Sequence, residues 1–123
     1  MPDHCHLLFR LLDRITLSQT IGKFKTLTTA ALESRGLIWQ DNFYDHRLRS
    51  DASAEAFARY IFLNPYRNEL LGFNHTWPWW ICNREYRPEF QQYLNHSGGP
   101  PKEWIATGET VEDLIEADVL EDL

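Results

Sequence analysis

Apolar residues recur at helical spacing in the first third of the chain. From Gln19 to about Ser34 they fall at intervals of three and four, which predicts an amphipathic helix. Ser18 is the expected N-cap, and Gly36 is expected to end the helix. No capping box is expected, because Ile21 stands where a Glu or Gln side chain would be needed.

The same spacing predicts a second helix from about Ala54 to Leu63, behind an N-cap at Ser53. This helix should end at Asn64, because a residue that precedes proline disfavours the helical conformation. Pro65 can then open a further short helix. Tyr60 and Asn64 are four residues apart, so they lie one turn apart on the same side of the helix.

Two other stretches have the pattern of strands. Residues 7–12 form a short apolar run, and residues 43–49 alternate between two faces. His4 and His6 precede the first run and share one face, with Cα atoms roughly 6.6 Å apart. Two imidazoles so placed can converge on one metal ion. Taken alone, the pair is equally explained as two polar residues at the start of a strand.

The remaining chain is predicted to add two more helices and a linker. A helix is expected from Arg87 to Leu94, followed by a Ser/Gly/Pro linker over residues 95–102. Apolar residues spaced from Val111 to Val119 predict a weak helix within an acidic tail, residues 103–123. The main domain is therefore expected to span residues 1–94.

Charge is distributed unevenly along the chain. Residues 1–102 contain all 12 Lys and Arg and have a balance of +2, whereas residues 103–123 have a balance of -8, giving -6 in total. Such asymmetry often accompanies a nucleic-acid partner, although a solvated acidic tail explains it equally well.

Length and composition indicate one ordinary domain. The chain has 123 residues, of which 43% are hydrophobic, so global disorder is not expected. No apolar run is long enough for a transmembrane helix, and no signal peptide is recognisable. With two cysteines, no disulfide framework is expected. We therefore expect a cytoplasmic protein without membrane contact.

Basic side chains provide candidates for contacts with DNA. Lys23 and Lys25 lie off the apolar stripe of the first helix, where they could contact phosphates or simply aid solubility. Arg47 and Arg49 share a face of the second predicted strand with an aromatic residue. That combination can bind single-stranded DNA, with guanidinium for phosphate and ring for base, or form a plain polar edge.

Three blocks of sequence resemble the REP-associated tyrosine transposases, which are single-tyrosine HUH enzymes of the insertion-sequence-200 type. The blocks occur in the family's order and cover much of residues 1–80: residues 1–8, Trp39 with residues 42–50, and residues 59–67. The resemblance implies an α+β fold, a ferredoxin-like antiparallel sheet with helices on one face.

The resemblance also implies a site. His4 and His6 match the HUH pair, Tyr60 matches the nucleophile, and Asn64 matches the polar residue that completes a site for Mg²⁺ or Mn²⁺. Attack on a DNA phosphate would give a 5′-phosphotyrosine at hairpin, REP-like DNA. Arg59 and Arg67 flank the nucleophile and are further candidates for DNA contact.

Other readings of the same residues stay open. The chain could be an inactive module that binds DNA hairpins, a degraded transposase fragment, or a plain metal-binding α+β domain. Family members carry a strand, a helix and a strand before the HUH strand, whereas His4 here closely follows Met1. We therefore expect an incomplete sheet whose open edge favours self-association.

Overall fold

The computed structural model describes residues 3–121, and every regular element in that range is helical. In chain order the elements are α1 (Leu17–Glu33), α2 (Asp51–Arg67), a 3₁₀ helix (Glu89–Tyr93), α3 (Glu103–Ala106) and α4 (Val111–Glu121). These residues form two compact units. The smaller unit contains residues 9–46, and the larger combines residues 3–8 with residues 47–121.

The expected ferredoxin-like antiparallel sheet is wrong for the described range, since no strand is formed between residues 3 and 121. Residues 7–12 have no regular structure, and their large apolar side chains are exposed, from 38% at Leu8 to 73% at Leu12. Residues 43–49 have no strand either. The physical reason is that a strand exists only with a hydrogen-bonded neighbour, and neither segment has one here. The sheet edge expected to drive self-association is therefore not formed.

Helix α1 begins earlier than the sequence suggested. Thr16 is the N-cap, and it accepts a hydrogen bond from the Gln19 backbone N–H while the Gln19 side chain accepts one from Thr16 N–H. This is a reciprocal capping box, so the predictions of a Ser18 cap and of no capping box were both wrong. Within the same unit, the Trp39 ring packs near Phe24 and donates to Thr28 Oγ1.

Helix α2 is longer at both ends than predicted. Ser50 caps it by accepting from Ser53 N–H, and the helix continues through Pro65 to Arg67. An interior proline costs about 3 kcal/mol through its missing N–H and its ring clash. Asn64 and Pro65 are buried here, so tertiary packing offsets that cost. The predictions of a Ser53 cap and of a helix end at Asn64 were therefore wrong.

One face of α2 forms the core of the larger unit. Its buried apolar residues pack with Phe90 of the 3₁₀ helix: Ala58, Phe62, Leu63 and Tyr66. The Phe62 ring contacts the rings of Trp80 and Phe90, with centroids 5.4 and 5.1 Å away. Burial of a side chain of this size contributes about 1.5–3 kcal/mol. The packing fixes how α2 is rotated and hence where its other side chains point.

The segment predicted as a linker is folded against the larger unit. Asn95 Nδ2 donates to the Phe73 carbonyl, and Asn95 Oδ1 accepts from the backbone N–H groups of Ser97 and Gly99. Helix α4 packs on α2 and buries Leu114 and Asp118. A helix was predicted at this position in the acidic tail, while the domain boundaries at residues 94 and 103 stay predictions.

Candidate functional site

The N-terminal histidines and α2 meet in the larger unit. The His4 and His6 rings stand edge to face with centroids 5.0 Å apart, so the two imidazoles lie together. The Tyr60 ring is 6.5 Å from that of His6, again edge to face. Asn64, one turn further along α2, contacts His6 directly. The structure thus brings together the four residues predicted to form the catalytic and metal site. Met1 and Pro2 of the first sequence block lie outside the described residues.

The closest contact in this cluster joins His6 Nε2 and Asn64 Nδ2, which are 2.6 Å apart. An amide nitrogen can only donate, so Nε2 accepts and the His6 imidazole is neutral. Desolvation lowers the pKa of His6, and the charge of nearby His4 lowers it further. Both the hydrogen bond and the surroundings therefore favour an unprotonated His6, which is the form that can bind a metal.

His4 is oriented by the residue before it. Its Nδ1 lies 2.6 Å from Asp3 Oδ1, and this hydrogen bond lowers the pKa of the Asp3 carboxyl. A carboxylate that accepts from Nδ1–H fixes the tautomer and leaves Nε2 as the available ring nitrogen. Sequence reasoning missed Asp3 as part of the site, although its place directly before the histidine pair was a usable signal.

The donor atoms around His6 can accommodate a divalent cation. Two imidazole nitrogens are available from His4 and His6, and a half-turn of the Asn64 amide would present Oδ1 in place of Nδ2. Such a half-turn is consistent with the structure, because amide oxygen and nitrogen are assigned from the hydrogen-bond pattern. Within residues 3–121 no group of three or more His, Cys, Asp or Glu is placed to hold a metal. An ion here would therefore complete its coordination with water or phosphate oxygens.

Arg67 lies directly against Tyr60. Its guanidinium carbon is 4.4 Å from the centre of the Tyr60 ring, and Nη1 donates to the Tyr60 carbonyl at 3.3 Å. Its Nε and Nη2 atoms are buried and have no hydrogen-bond partner in the described part of the chain. Desolvation lowers the pKa of Arg67, but an arginine stays charged. A partly unsatisfied cation thus stands beside the predicted nucleophile.

A cavity of about 320 Å³ opens beside the histidines. Its wall combines residues of the site with a cluster of indoles: His4, Cys5, His6, Ile61, Asn64, Pro65, Trp77, Trp79 and Trp80. Trp79 is 73% exposed, whereas Trp80 packs on the core ring of Phe62. The cluster therefore offers flat apolar surface directly beside the polar site.

The other predicted DNA contacts have different surroundings. Lys23 and Arg47 are exposed. Lys25 Nζ donates to the carbonyls of Gln40 and Asn42 in its own unit, at 2.7 and 2.9 Å. Arg59 lies over the Trp104 ring, with Cζ 5.3 Å from its centre.

Arg49 pairs with Asp118 of α4, which lies within the segment predicted as the acidic tail. Sequence reasoning did not foresee this pair, because its members are 69 positions apart.

Comparison with known proteins gives one relevant similarity. The chain is 29% identical over 115 residues to a Haemophilus influenzae protein that is provisionally named a REP-associated tyrosine transposase. The match covers 82% of this chain and 64% of that protein. No protein-family model and no solved structure matches the chain. Among the residues described, no helix is long and apolar enough to cross a bilayer.

Proposed function

We propose that this chain cuts and rejoins single-stranded DNA next to hairpins, with Tyr60 as the nucleophile. The observation that carries the proposal is the contact of His6 with Asn64, which brings the histidine pair to the helical turn of Tyr60. The similarity to a protein named as a transposase supports the same class of reaction. The larger size of that relative makes its full activity a proposal for this chain.

The reaction balances without an external reactant. The Tyr60 phenol oxygen attacks a DNA phosphorus, the bond from phosphorus to the 3′ oxygen breaks, and a 5′-phosphotyrosine forms. The phenol loses its proton and the departing 3′ oxygen gains one. Because a phosphoester bond is retained, a second 3′ hydroxyl can later reverse the step and rejoin the strand.

The residues around Tyr60 have separate tasks in this proposal. His4, His6 and Asn64 would hold Mg²⁺ or Mn²⁺, and imidazole ligands favour Mn²⁺. When bound, such an ion neutralises charge on the phosphate and assists departure of the 3′ oxygen. Arg67 packs on the Tyr60 ring and limits its rotation, and its positive charge attracts the anionic substrate.

Covalent capture tests this proposal. A 3′-labelled oligonucleotide pool with a fixed hairpin and randomised single-stranded flanks is incubated with the protein and Mg²⁺, Mn²⁺ or EDTA, then separated in denaturing gels. We expect a labelled protein band that requires metal and is lost in Tyr60→Phe. Tyr93→Phe, which alters an exposed tyrosine elsewhere in the same unit, should keep the band.

Two results would contradict the proposal. An adduct that persists in Tyr60→Phe would place the nucleophile elsewhere. Salt-sensitive binding of the hairpin pool without any adduct would favour the alternative, a hairpin-binding module without catalysis.

A further inference from the structure

We infer that the cavity beside His6 receives one nucleobase of the single strand, next to the phosphate that Tyr60 attacks. This inference rests on the proposed function and adds to it a site that selects the substrate. Its main observation is that the cavity shares His4, His6 and Asn64 with the candidate reaction centre. A strand with a phosphate at that centre therefore has its neighbouring sugars and bases within reach of the cavity.

The wall of the cavity has the chemistry that a base requires. Trp77, Trp79 and Trp80 line it, and an exposed tryptophan such as Trp79 can stack on either face of a purine or pyrimidine. Stacking between a base and an aromatic side chain depends little on sequence, because every base has a π-face. The indole cluster can therefore accept unpaired DNA of many sequences.

Polar groups on the same wall can read the edge of the base. The Asn64 amide carries both donor and acceptor atoms, and the exposed His4 ring adds a nitrogen. Trp80 Nε1 is a buried donor without a partner among the described residues, so a small turn of its indole toward a base would satisfy it. These groups can distinguish bases that the indoles alone would accept equally.

The volume of the cavity limits what it can hold. Small-ligand sites in proteins usually measure roughly 300–1,000 Å³, and a cavity of about 320 Å³ is at the lower end of that range. One base fits this space better than two stacked bases. A base in a duplex is excluded, because it is enclosed between its neighbours and its partner.

Affinity measurements on Trp79→Ala test the inference without relying on catalysis. Binding of the labelled hairpin pool is followed by fluorescence anisotropy in EDTA, where no adduct is expected. We expect Trp79→Ala to weaken binding roughly 5- to 150-fold, the range for loss of one stacked base. Trp79→Phe should recover most of the loss. Tyr93→Ala, a matched change at another exposed aromatic, should leave affinity within twofold.

Abasic substrates identify the base that enters the cavity. Single abasic sites are placed in turn along the flank of a binding hairpin chosen from the pool. At one position we expect the abasic site to weaken binding to the wild type but to leave Trp79→Ala nearly unaffected. If Trp79→Ala binds as tightly as the wild type, or if no abasic position shows this non-additivity, the inference is wrong.

The same measurements separate this inference from the proposed function. Non-additivity without any Tyr60-dependent adduct would support the base site and contradict catalysis. An adduct without non-additivity would support catalysis and overturn the base site.

Discussion

Arg49 and Asp118 form an ion pair that ties α4 to the segment before α2. Asp118 Oδ2 accepts from Arg49 Nη1 at 3.0 Å, and Oδ1 accepts from the Arg49 backbone N–H at 3.1 Å. The Asp118 side chain is fully buried, while a third of the Arg49 side chain stays exposed. Part of the acidic segment is thus folded into the larger unit and partly neutralises an arginine that the sequence assigned to DNA.

Replacement of Asp118 should destabilise the larger unit. Loss of one member of a buried pair leaves the other charge uncompensated, which typically costs about 3–5 kcal/mol. We expect Asp118→Ala to lower the free energy of unfolding by about 3 kcal/mol, the lower end, because Arg49 is partly solvated. Urea titration measures the change. Glu116→Ala, an exposed acidic residue of the same helix, should change it by less than about 0.5 kcal/mol. Equal effects of the two changes would contradict this role for the pair.

Arg47 and Arg49 should differ in their effects on DNA binding. Arg47 is exposed, so Arg47→Ala should weaken binding and reduce the slope of log affinity against log salt by about 1. Arg49 already faces a carboxylate, so Arg49→Ala should change the slope less and mainly lower the melting temperature. Anisotropy titrations at several salt concentrations measure both slopes. A larger slope change for Arg49→Ala would show that Asp118 does not compete with DNA.

Acid should weaken the fold through His6. Its pKa is lowered in the folded protein, so between that value and the ordinary 6.5 the unfolded chain binds more protons. Stability contributed by neutral His6 is therefore present above about pH 6.5 and is lost as the pH falls through the folded pKa. We expect His6→Gln to show a shallower loss of unfolding free energy between pH 7 and pH 5 in EDTA. His96→Gln is the control, and a pH dependence unchanged by His6→Gln would contradict this assignment.

Two glycines should respond to alanine in opposite directions. A Cβ on Gly99 would lie 1.8 Å from the Phe73 carbonyl oxygen, so Gly99→Ala forces backbone movement and should cost at least 1–3 kcal/mol, an order-of-magnitude value for overpacking. Gly22 lies inside α1 with nothing within 4 Å of an added Cβ, so Gly22→Ala should stabilise α1 by about 0.5–1 kcal/mol. Thermal melts followed by circular dichroism compare the two. A stabilised Gly99→Ala would show that the Asn95 turn adapts.

The sequence predicted the helices better than their ends. Spacing of apolar residues located α1 and α2, because an amphipathic helix needs one apolar face whatever it packs against. The start of α1 was misplaced, since Ser18 and Thr16 are both acceptable caps and only the backbone decides which one is used. The passage of α2 through Pro65 depends on burial by residues distant in sequence, which a local rule cannot include.

The strands failed for a different reason. Alternation in residues 43–49 and apolarity in residues 7–12 describe what a strand tolerates, but hydrogen-bonded partners make a strand. For the site, strand geometry and helix periodicity placed His4 beside His6 and Tyr60 beside Asn64. The sequence resemblance supplied the expectation that the two pairs meet. The Asp3 contact and the Arg49–Asp118 pair depend on orientations that no spacing rule specifies.

The His6–Asn64 contact spans 58 positions of the chain, and this separation has a kinetic consequence. Contacts of high sequence separation raise the contact order and slow folding, since a long loop must close before the contact forms. On the ribosome, His4 and His6 leave the exit tunnel long before α2 is complete. A nascent chain therefore has no assembled His–Tyr centre until its second long helix has emerged, and a product released before residue 64 lacks the centre altogether.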